Sequence, residues 1–315
     1  MSVELAVGVD IGGTKIHFAL VDDEGKLYHQ EIVRTESRKG AVVVLNQVLE
    51  GIERMCLAVP AYTDREKLRG IGIGSAGQID FATGRVAFAV DTLPGWTGTR
   101  IKEEVSARFP GLRVIVDNDV NVQAIAERRY GAAQGLNSFV CLSLGTGVGG
   151  AVVENGQLIR GTFGGAAELG HVSVDFNGPR CSCGNRGCLE LYASGTGIVR
   201  LADERAAAGL YEGQTDSRSV IKGWLDGESS AAAVMDVVIA ALSTATSGLI
   251  HTFNPQAVII GGGVSEAGEP LLTALRSETA LRTAPAMWKA VQIVPAAVGI
   301  QAGVIGAAAQ IWHYA

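Results

Sequence analysis

The chain carries no run of lysine or arginine, little aromatic side chain (6%) and little charge (18%), and its net charge is −6. Duplex nucleic acid is gripped through a positive footprint on its phosphates, so this balance argues against a DNA- or RNA-binding role. Proline is scarce at 8 residues, and the 42 glycines fall in clusters and not at every third position, which excludes a collagen-like chain. At 47% apolar residues the composition also excludes a disordered one. The longest uncharged helical run, 237–250, is flanked by Asp236 and His251 and falls short of the roughly 20 residues a bilayer span needs, so a buried helix is expected there and no membrane contact. The N-terminus enters an apolar strand without a basic region, a long apolar core or a cleavage site, so no signal peptide is expected and the cytoplasm is the expected location. Cysteine is limited to five residues, an odd count, with three of them between positions 181 and 188. In a reducing compartment such a cluster points to a metal before it points to disulfides.

What is present reads as an α/β protein. The 315 residues suggest two domains at about 150 residues each. Apolar strands are expected at 3–10, 16–21 and 27–33, with Asp22-Asp23-Glu24-Gly25 as a turn, followed by a helix over 41–57 that puts Val44, Val48, Ile52 and Met55 on one face. Further strands are expected at 68–73 and 114–116, and helices at 98–109 and 120–130. The pattern then recurs: strand 138–144, a glycine loop, strand 151–154 returning through the Asn155-Gly156 turn to 157–160, a long buried helix over 234–253, strand 257–260 and a last helix over 303–313. A strand, a Gly/Thr loop and a returning strand thus appear twice, roughly 130 residues apart. The expectation is two similar lobes with a cleft between them. The N-terminal lobe would span 1–118, completed by the C-terminal helix at 300–315, and a larger lobe would span 119–299.

Three glycine motifs resemble nucleotide loops without their context. Gly8–Gly13 followed by Thr14-Lys15 has the wrong order for a P-loop and leads into a strand instead of a helix. Gly72-Ile73-Gly74-Ser75-Ala76-Gly77 spells a dinucleotide fingerprint, but residues 78–86 carry turn residues and no helical period. Gly145–Gly150 is likewise followed by a strand. What fits Asp10-Ile11-Gly12-Gly13-Thr14-Lys15 is a tight hairpin whose exposed N–H groups can hold phosphate oxygens, with a hydroxyl from Thr14 and with Asp10 organising hydrated Mg²⁺. An ordinary turn using glycine for positive φ is the alternative for one loop. A second loop, Gly145-Thr146-Gly147, with its threonine in the matching place, favours a pair that clamps a nucleotide tail. Gly261-Gly262-Gly263 is a third loop of the same kind.

Asp117-Asn118-Asp119 closes a strand just before a helix. A carboxylate there can take a proton from a substrate hydroxyl, and Asn118 can donate to or accept from sugar hydroxyls. The same residues can instead cap the helix, and the two roles are compatible. Glu168 and His171, three positions apart, share one side of a helical turn. Cys181, Cys183 and Cys188, with His171 ten positions before the first, offer three thiolates and one imidazole, the donor set of a closed, structural Zn²⁺ site. The ring nitrogen of His171 not on the metal would then be free to face a substrate. Cys56 and Cys141 sit in apolar segments and read as small buried hydrophobes.

Taken together, these motifs resemble the ROK family of sugar kinases, repressors and uncharacterised reading frames, within the actin-like ATPase superfamily. The resemblance spans essentially the whole chain, on Asp10–Lys15, Gly72–Asp80, Leu93–Trp96, Asn118–Asn121, Leu144–Gly150, Glu168–His171 and Cys181–Glu190. It implies an α/β fold of two actin-like (ribonuclease H-like) lobes and an ATP-dependent kinase acting on the C6 hydroxyl of a hexose, glucose first. N-acetylmannosamine or N-acetylglucosamine kinase, a non-catalytic sugar sensor and a polyphosphate-dependent kinase are the rivals. It implies Asp119 as catalytic base, and Asn118, Glu168, His171 and Glu190 as sugar ligands, with Ser75, Gly77 and Thr92 lining the pocket. Gly12, Gly13, Thr14 and Lys15 would form the first phosphate loop, and Gly145, Thr146 and Gly147 the second, with Gly262 and Gly263 toward the adenosine. Homodimers or homotetramers are implied as the assembly. Thr92 stands where glucokinase-like members commonly carry asparagine. The strand at 3–9 stands where family repressors carry a helix-turn-helix, so no DNA-reading module is expected.

Overall fold

The structure, a computed structural model, describes residues 3–64, 67–89 and 93–314. The chain forms two compact units: unit 1 is Met1–Gly135, Ile159–Ala166 and Ala297–Ala315, and unit 2 is Leu136–Leu158 and Ala167–Ala296.

Unit 1 is built on β1 (Leu5–Ile11), β2 (Lys15–Asp22) and β3 (Leu27–Arg34), an antiparallel meander. It continues through α1 (Ala41–Ala58) to β4 (Leu68–Ser75), the short hairpin β5 (Gln78–Asp80) and β6 (Arg85–Phe88), α2 (Ile101–Arg108), β7 (Arg113–Asn118) and α3 (Asp119–Tyr130). The sheet order is β3-β2-β1-β4-β7, with β4 parallel to both β1 and β7. Alternation along β1 sets both faces of the sheet, because successive side chains point to opposite sides. Leu5, Val7, Val9 and Ile11 join Val44, Val48, Ile52 and Met55 of α1 in one core. Ala6 joins Val304, Ile305, Ala308 and Ile311 of the C-terminal helix Ala302–His313 in another.

That second face explains the glycines at 8 and 72. A Cβ on Gly8 would stand 2.2 Å from the Val304 carbonyl oxygen, and one on Gly72 only 1.7 Å from that of Ala307. Gly72, the first glycine of the apparent dinucleotide fingerprint, therefore serves to let a helix backbone lie directly on the sheet. Helix α3 packs on the same C-terminal helix. For that reason the first unit runs on to Gly135 and does not end at 118, the boundary the sequence pattern indicates.

Unit 2 repeats the topology. Strands β8 (Phe139–Leu144), β9 (Val148–Glu154) and β10 (Gln157–Leu158) form the antiparallel part. The helices α4 (Glu190–Ala193), α5 (Gly195–Ala207), α6 (Ser217–Leu225) and α7 (Ser229–Phe253) follow. Then come β11 (Ala257–Gly261), α8 (Glu269–Arg282) and, after the one-turn helix α9 (Pro285–Trp288), β12 (Gln292–Pro295). The order is β10-β9-β8-β11-β12, with β11 parallel to β8 and β12. The returning strand expected at 157–160 is shorter than its pattern: it ends at Leu158, and residues from Ile159 to Ala166 belong to unit 1. Helix α7 starts earlier than its uncharged run and spans 25 residues, long and apolar enough to cross a bilayer by composition, but 67% of its most apolar window is buried inside the protein. It packs on α4, α5, α6 and α8 as the core helix of unit 2.

Candidate functional site

The two glycine loops occupy equivalent places, one between β1 and β2 and the other between β8 and β9. In the first, Gly12 N–H donates across the loop to Lys15 O (3.0 Å). In the second, Gly145 N–H donates to Gly147 O (2.9 Å). Each turn therefore closes on its first glycine, and the N–H groups of Gly13, Thr14, Thr146 and Gly147 have no partner among the described residues. Two such N–H groups in succession form a nest for an anion. Each loop is also braced from outside by a threonine that the sequence does not single out. The Thr35 hydroxyl donates to Gly12 O (2.7 Å) and the Thr196 hydroxyl to Thr146 O (2.8 Å). The first loop opens on a cavity of about 380 Å³ whose lining includes Thr14, Arg34, Glu36, Ser37, Arg38 and Lys39, with Lys39 paired to Glu36 (2.9 Å), a wall of net positive charge that no motif announces. Gly262, in a left-handed conformation (φ 85°), lies against the backbone of Leu144, which leads into the second loop.

Asp10 lies near the end of β1, on the face that meets the C-terminal helix. A Cβ on Gly303, in that helix's first turn, would stand 2.4 Å from Asp10 Oδ2. Burial pushes the Asp10 carboxyl up to about 6, against a smaller opposite pull from Lys15. The carboxylate has no hydrogen-bond partner among the described residues. A half-buried, unpartnered carboxylate on the strand that leads into a phosphate-binding nest suits a hydrated Mg²⁺.

At the end of β7, Asn118 caps α3, its Oδ1 accepting from Val120 N–H (2.8 Å) and Asn121 N–H (3.2 Å). Its Nδ2 donates to Gly77 O (2.9 Å), so the cap also ties β7 to the turn after β4. Gly77 needs its glycine: φ is 97°, and a Cβ would meet Phe88 O at 2.7 Å. Asp119 is the first residue of α3, half-buried, with Oδ1 accepting from Val120 N–H (3.0 Å). The cap and a half-buried carboxylate thus fall on adjacent residues. Ser75 is fully buried, and its hydroxyl accepts from Trp96 Nε1 (3.0 Å) and donates to Ala76 O (3.0 Å). Its side chain is committed to holding Trp96. Thr92 lies outside the described residues.

In unit 2, a short helical turn Leu169–His171 follows Glu168, which is exposed. Glu190 stands two residues after Cys188. Its Oε2 accepts from Val148 N–H (3.1 Å), and a Cβ on Gly147 would come within 2.3 Å of the same oxygen. The second loop and this carboxylate are therefore in contact. Between Glu168 and Glu190 in the chain, the ligand atoms of His171, Cys181, Cys183 and Cys188 all lie within 4.8 Å of one another. Cys183 Sγ and Cys188 Sγ are 3.6 Å apart, and Cys181 Sγ and His171 Nδ1 are 3.7 Å apart. Donors at about 2.0–2.3 Å from a tetrahedral Zn²⁺ would stand about 3.5–3.8 Å from each other, the spacing of these two pairs, so the cluster is compatible with one ion. Burial, then the two neighbouring thiols, push the Cys188 thiol up to about 12. Three cysteine sulfurs and one imidazole at one point are the donor set of a structural Zn²⁺ site. The wrap needs Gly187 (φ 61°), where a Cβ would stand 1.8 Å from Asp175 O. With Nδ1 turned to the thiols, His171 Nε2 has no partner among the described residues. Leu189 N–H donates to Val172 O (2.9 Å), which fastens the chain before Glu190 to the chain after His171.

A sequence model of the ROK family matches residues 6–313. The chain is 37% identical over 315 residues to a glucokinase of Thermotoga maritima, covering 97% of this chain and 96% of that one. It is similar in structure (TM-score 0.80, 34% identity, 96% of this chain and 98% of the other) to a ROK family glucokinase from Streptomyces griseus solved with glucose and AMPPNP. It is also 29% identical over 305 residues to a xylose repressor of Bacillus spizizenii, covering 96% of this chain and 75% of the repressor.

Proposed function

The chain belongs to the ROK family, and from that premise we propose that it is an ATP-dependent hexose kinase that transfers the γ-phosphoryl group to the C6 hydroxyl, with glucose the preferred sugar. The observation that carries the reading is the pair of glycine loops, each with successive unpaired N–H groups, in one chain with a half-buried carboxylate at the head of α3. The glucokinases among its relatives match over nearly their whole length.

Phosphoryl transfer is mainly positioning and charge neutralisation. Gly12, Gly13, Thr14 and Lys15 would hold phosphate oxygens in unit 1, and Gly145, Thr146 and Gly147 in unit 2, with Gly262 and Gly263 toward the adenosine. Mg²⁺, when bound, would neutralise the β- and γ-phosphates, and Asp10 is the carboxylate that would orient it. Asp119 takes the proton from the C6 hydroxyl as that oxygen attacks. Asn118, Glu168, His171 and Glu190 hold the other sugar hydroxyls. Ser75 acts behind the pocket through Trp96. A Zn²⁺ on His171, Cys181, Cys183 and Cys188 is structural: with all four positions filled it has no site for a substrate, and it fixes the ring from which Nε2 points away. We place the enzyme in the cytoplasm, where thiols stay reduced, as a homodimer or homotetramer.

The test is sugar-dependent ADP formation with glucose, mannose, N-acetylmannosamine and N-acetylglucosamine at equal ATP. Glucose is expected to give the highest kcat/KM. A higher value for an N-acetylhexosamine transfers the assignment to that kinase. Sugar binding without ADP formation makes the chain a sensor, the reading its repressor relatives favour.

A further inference from the structure

Asp117, two positions before Asp119, is 1% exposed, and each of its oxygens accepts two hydrogen bonds. Oδ1 accepts from Asn118 N–H (2.8 Å) and from Asn121 Nδ2 (2.8 Å), the residues on either side of the Asp119-Val120 step. Oδ2 accepts from Arg160 Nε (3.0 Å) and Nη2 (2.6 Å), a two-pronged guanidinium contact that fixes the carboxylate plane. Arg160 is itself immobilised. Its guanidinium lies 3.8 Å from the centroid of the Phe81 ring and also donates to the Tyr314 hydroxyl. The segment that carries it, Ile159–Ala166, is part of unit 1 although the chain on both sides of it belongs to unit 2. Ala166 N–H closes the segment onto Arg160 O (3.1 Å). Gly164 (φ 90°) seats it so closely on β5 that a Cβ would stand 1.8 Å from Ile79 O. A strap built this tightly holds one guanidinium against one carboxylate.

We propose that Arg160 is a positioning residue for phosphoryl transfer: it locks Asp117, which through Asn118 and Asn121 sets the turn that aims Asp119 at the sugar hydroxyl. The proposal rests on Asp119 being the base. Arg160 touches neither substrate nor nucleotide in this account, so its loss acts on the rate and not on affinity. A misplacement of about 1 Å at a reacting group costs up to about a hundredfold in rate.

The experiment is steady-state kinetics of Arg160→Gln beside wild type, with glucose and ATP, and with thermal unfolding to confirm folding. The expected result is a kcat lowered about 10- to 100-fold, with both KM values within about threefold. Arg160→Lys, which keeps the charge but not the fork, recovers part of the rate. Arg113→Gln is the control: Arg113 holds the same C-terminal segment, through Ile311 O and Tyr314 O, but has no bond to Asp117, and should lose stability while keeping kcat. A folded Arg160→Gln with wild-type kcat, or with raised KM and unchanged kcat, overturns the proposal. If Arg160→Gln does not fold, the pair Arg160→Gln with Asp117→Asn removes both buried charges, and kcat should then still fall at least about fivefold. Wild-type kcat in that pair is equally fatal. Asp119→Asn in the same assay separates the two levels. If it stays active, the base assignment fails. If it is inactive while Arg160→Gln runs at full rate, only the positioning role falls.

Discussion

Asp117 and Asp119 occupy one strand end, yet the first is sealed under a guanidinium and the second stands half-buried at a helix start. Burial decides which of the two can meet a substrate. His313, in the last turn of the C-terminal helix, is governed by burial in another way. Burial first, then the charges of Arg128, Arg129 and Arg160, push its ring from the usual 6.5 down to about 4, and Tyr314 packs edge-on against it. A folded-state value below the unfolded one means that the unfolded chain takes up the extra proton. This contribution to stability is whole above pH 6.5 and is lost as pH falls toward 4. Melting temperatures measured from pH 7.5 to 5 should therefore decline more steeply for wild type than for His313→Gln. Parallel curves would contradict the assignment. The helix start at Asn118-Asp119 and the cluster of His171, Cys181, Cys183 and Cys188 are legible in the sequence because each belongs to a short motif with its own spacing. Arg160 is not, since its partner lies 43 positions away and the pair has no local pattern. Ser75 reads as a pocket side chain because nothing in the sequence shows that Trp96 takes its hydroxyl.

The strands of unit 1 follow their apolar pattern closely, and helix α1 buries the stripe its period marks. The less legible feature is the C-terminal helix, where small residues look like weak packing and instead permit a close approach. Gly306 is the sharpest case, since a Cβ there would stand 1.8 Å from Val122 O of α3. In an unconstrained helix, Gly to Ala gains about 1 kcal/mol of propensity. Here the added carbon meets backbone, which no rotamer change relieves, and overpacking costs about 1–3 kcal/mol. Gly306→Ala should thus destabilise the protein by up to about 2 kcal/mol in urea unfolding, as the net of these two terms. A gain in stability would mean that the helices separate without cost. The full length of α7 is hidden for a different reason. The large apolar residues mark it only from 234, and Ser229, Ser230 and the small Ala231, Ala232 and Ala233 before them carry no such signal.

Two units with one sheet order make the repeat of strand, glycine loop and returning strand a property of the whole chain, and the sequence shows it because the loop residues recur in place. The wrap that gathers His171, Cys181, Cys183 and Cys188 is an element that unit 2 adds to its sheet. Metal analysis should find about one Zn per chain, and Cys183→Ser should lower the melting temperature and raise the glucose KM about tenfold, because His171 and Glu190 hang on the same wrap. Full activity in a metal-free chain would contradict that coupling. The central claim is that the carboxylate of Asp119 accepts the sugar's proton. Its most direct test is turnover of Asp119→Asn with glucose and ATP, read beside calorimetric titration of glucose into the same variant. The account predicts a kcat lowered about 10²- to 10⁴-fold with the glucose Kd within about threefold of wild type. A kcat close to that of wild type, with glucose still bound, would contradict it.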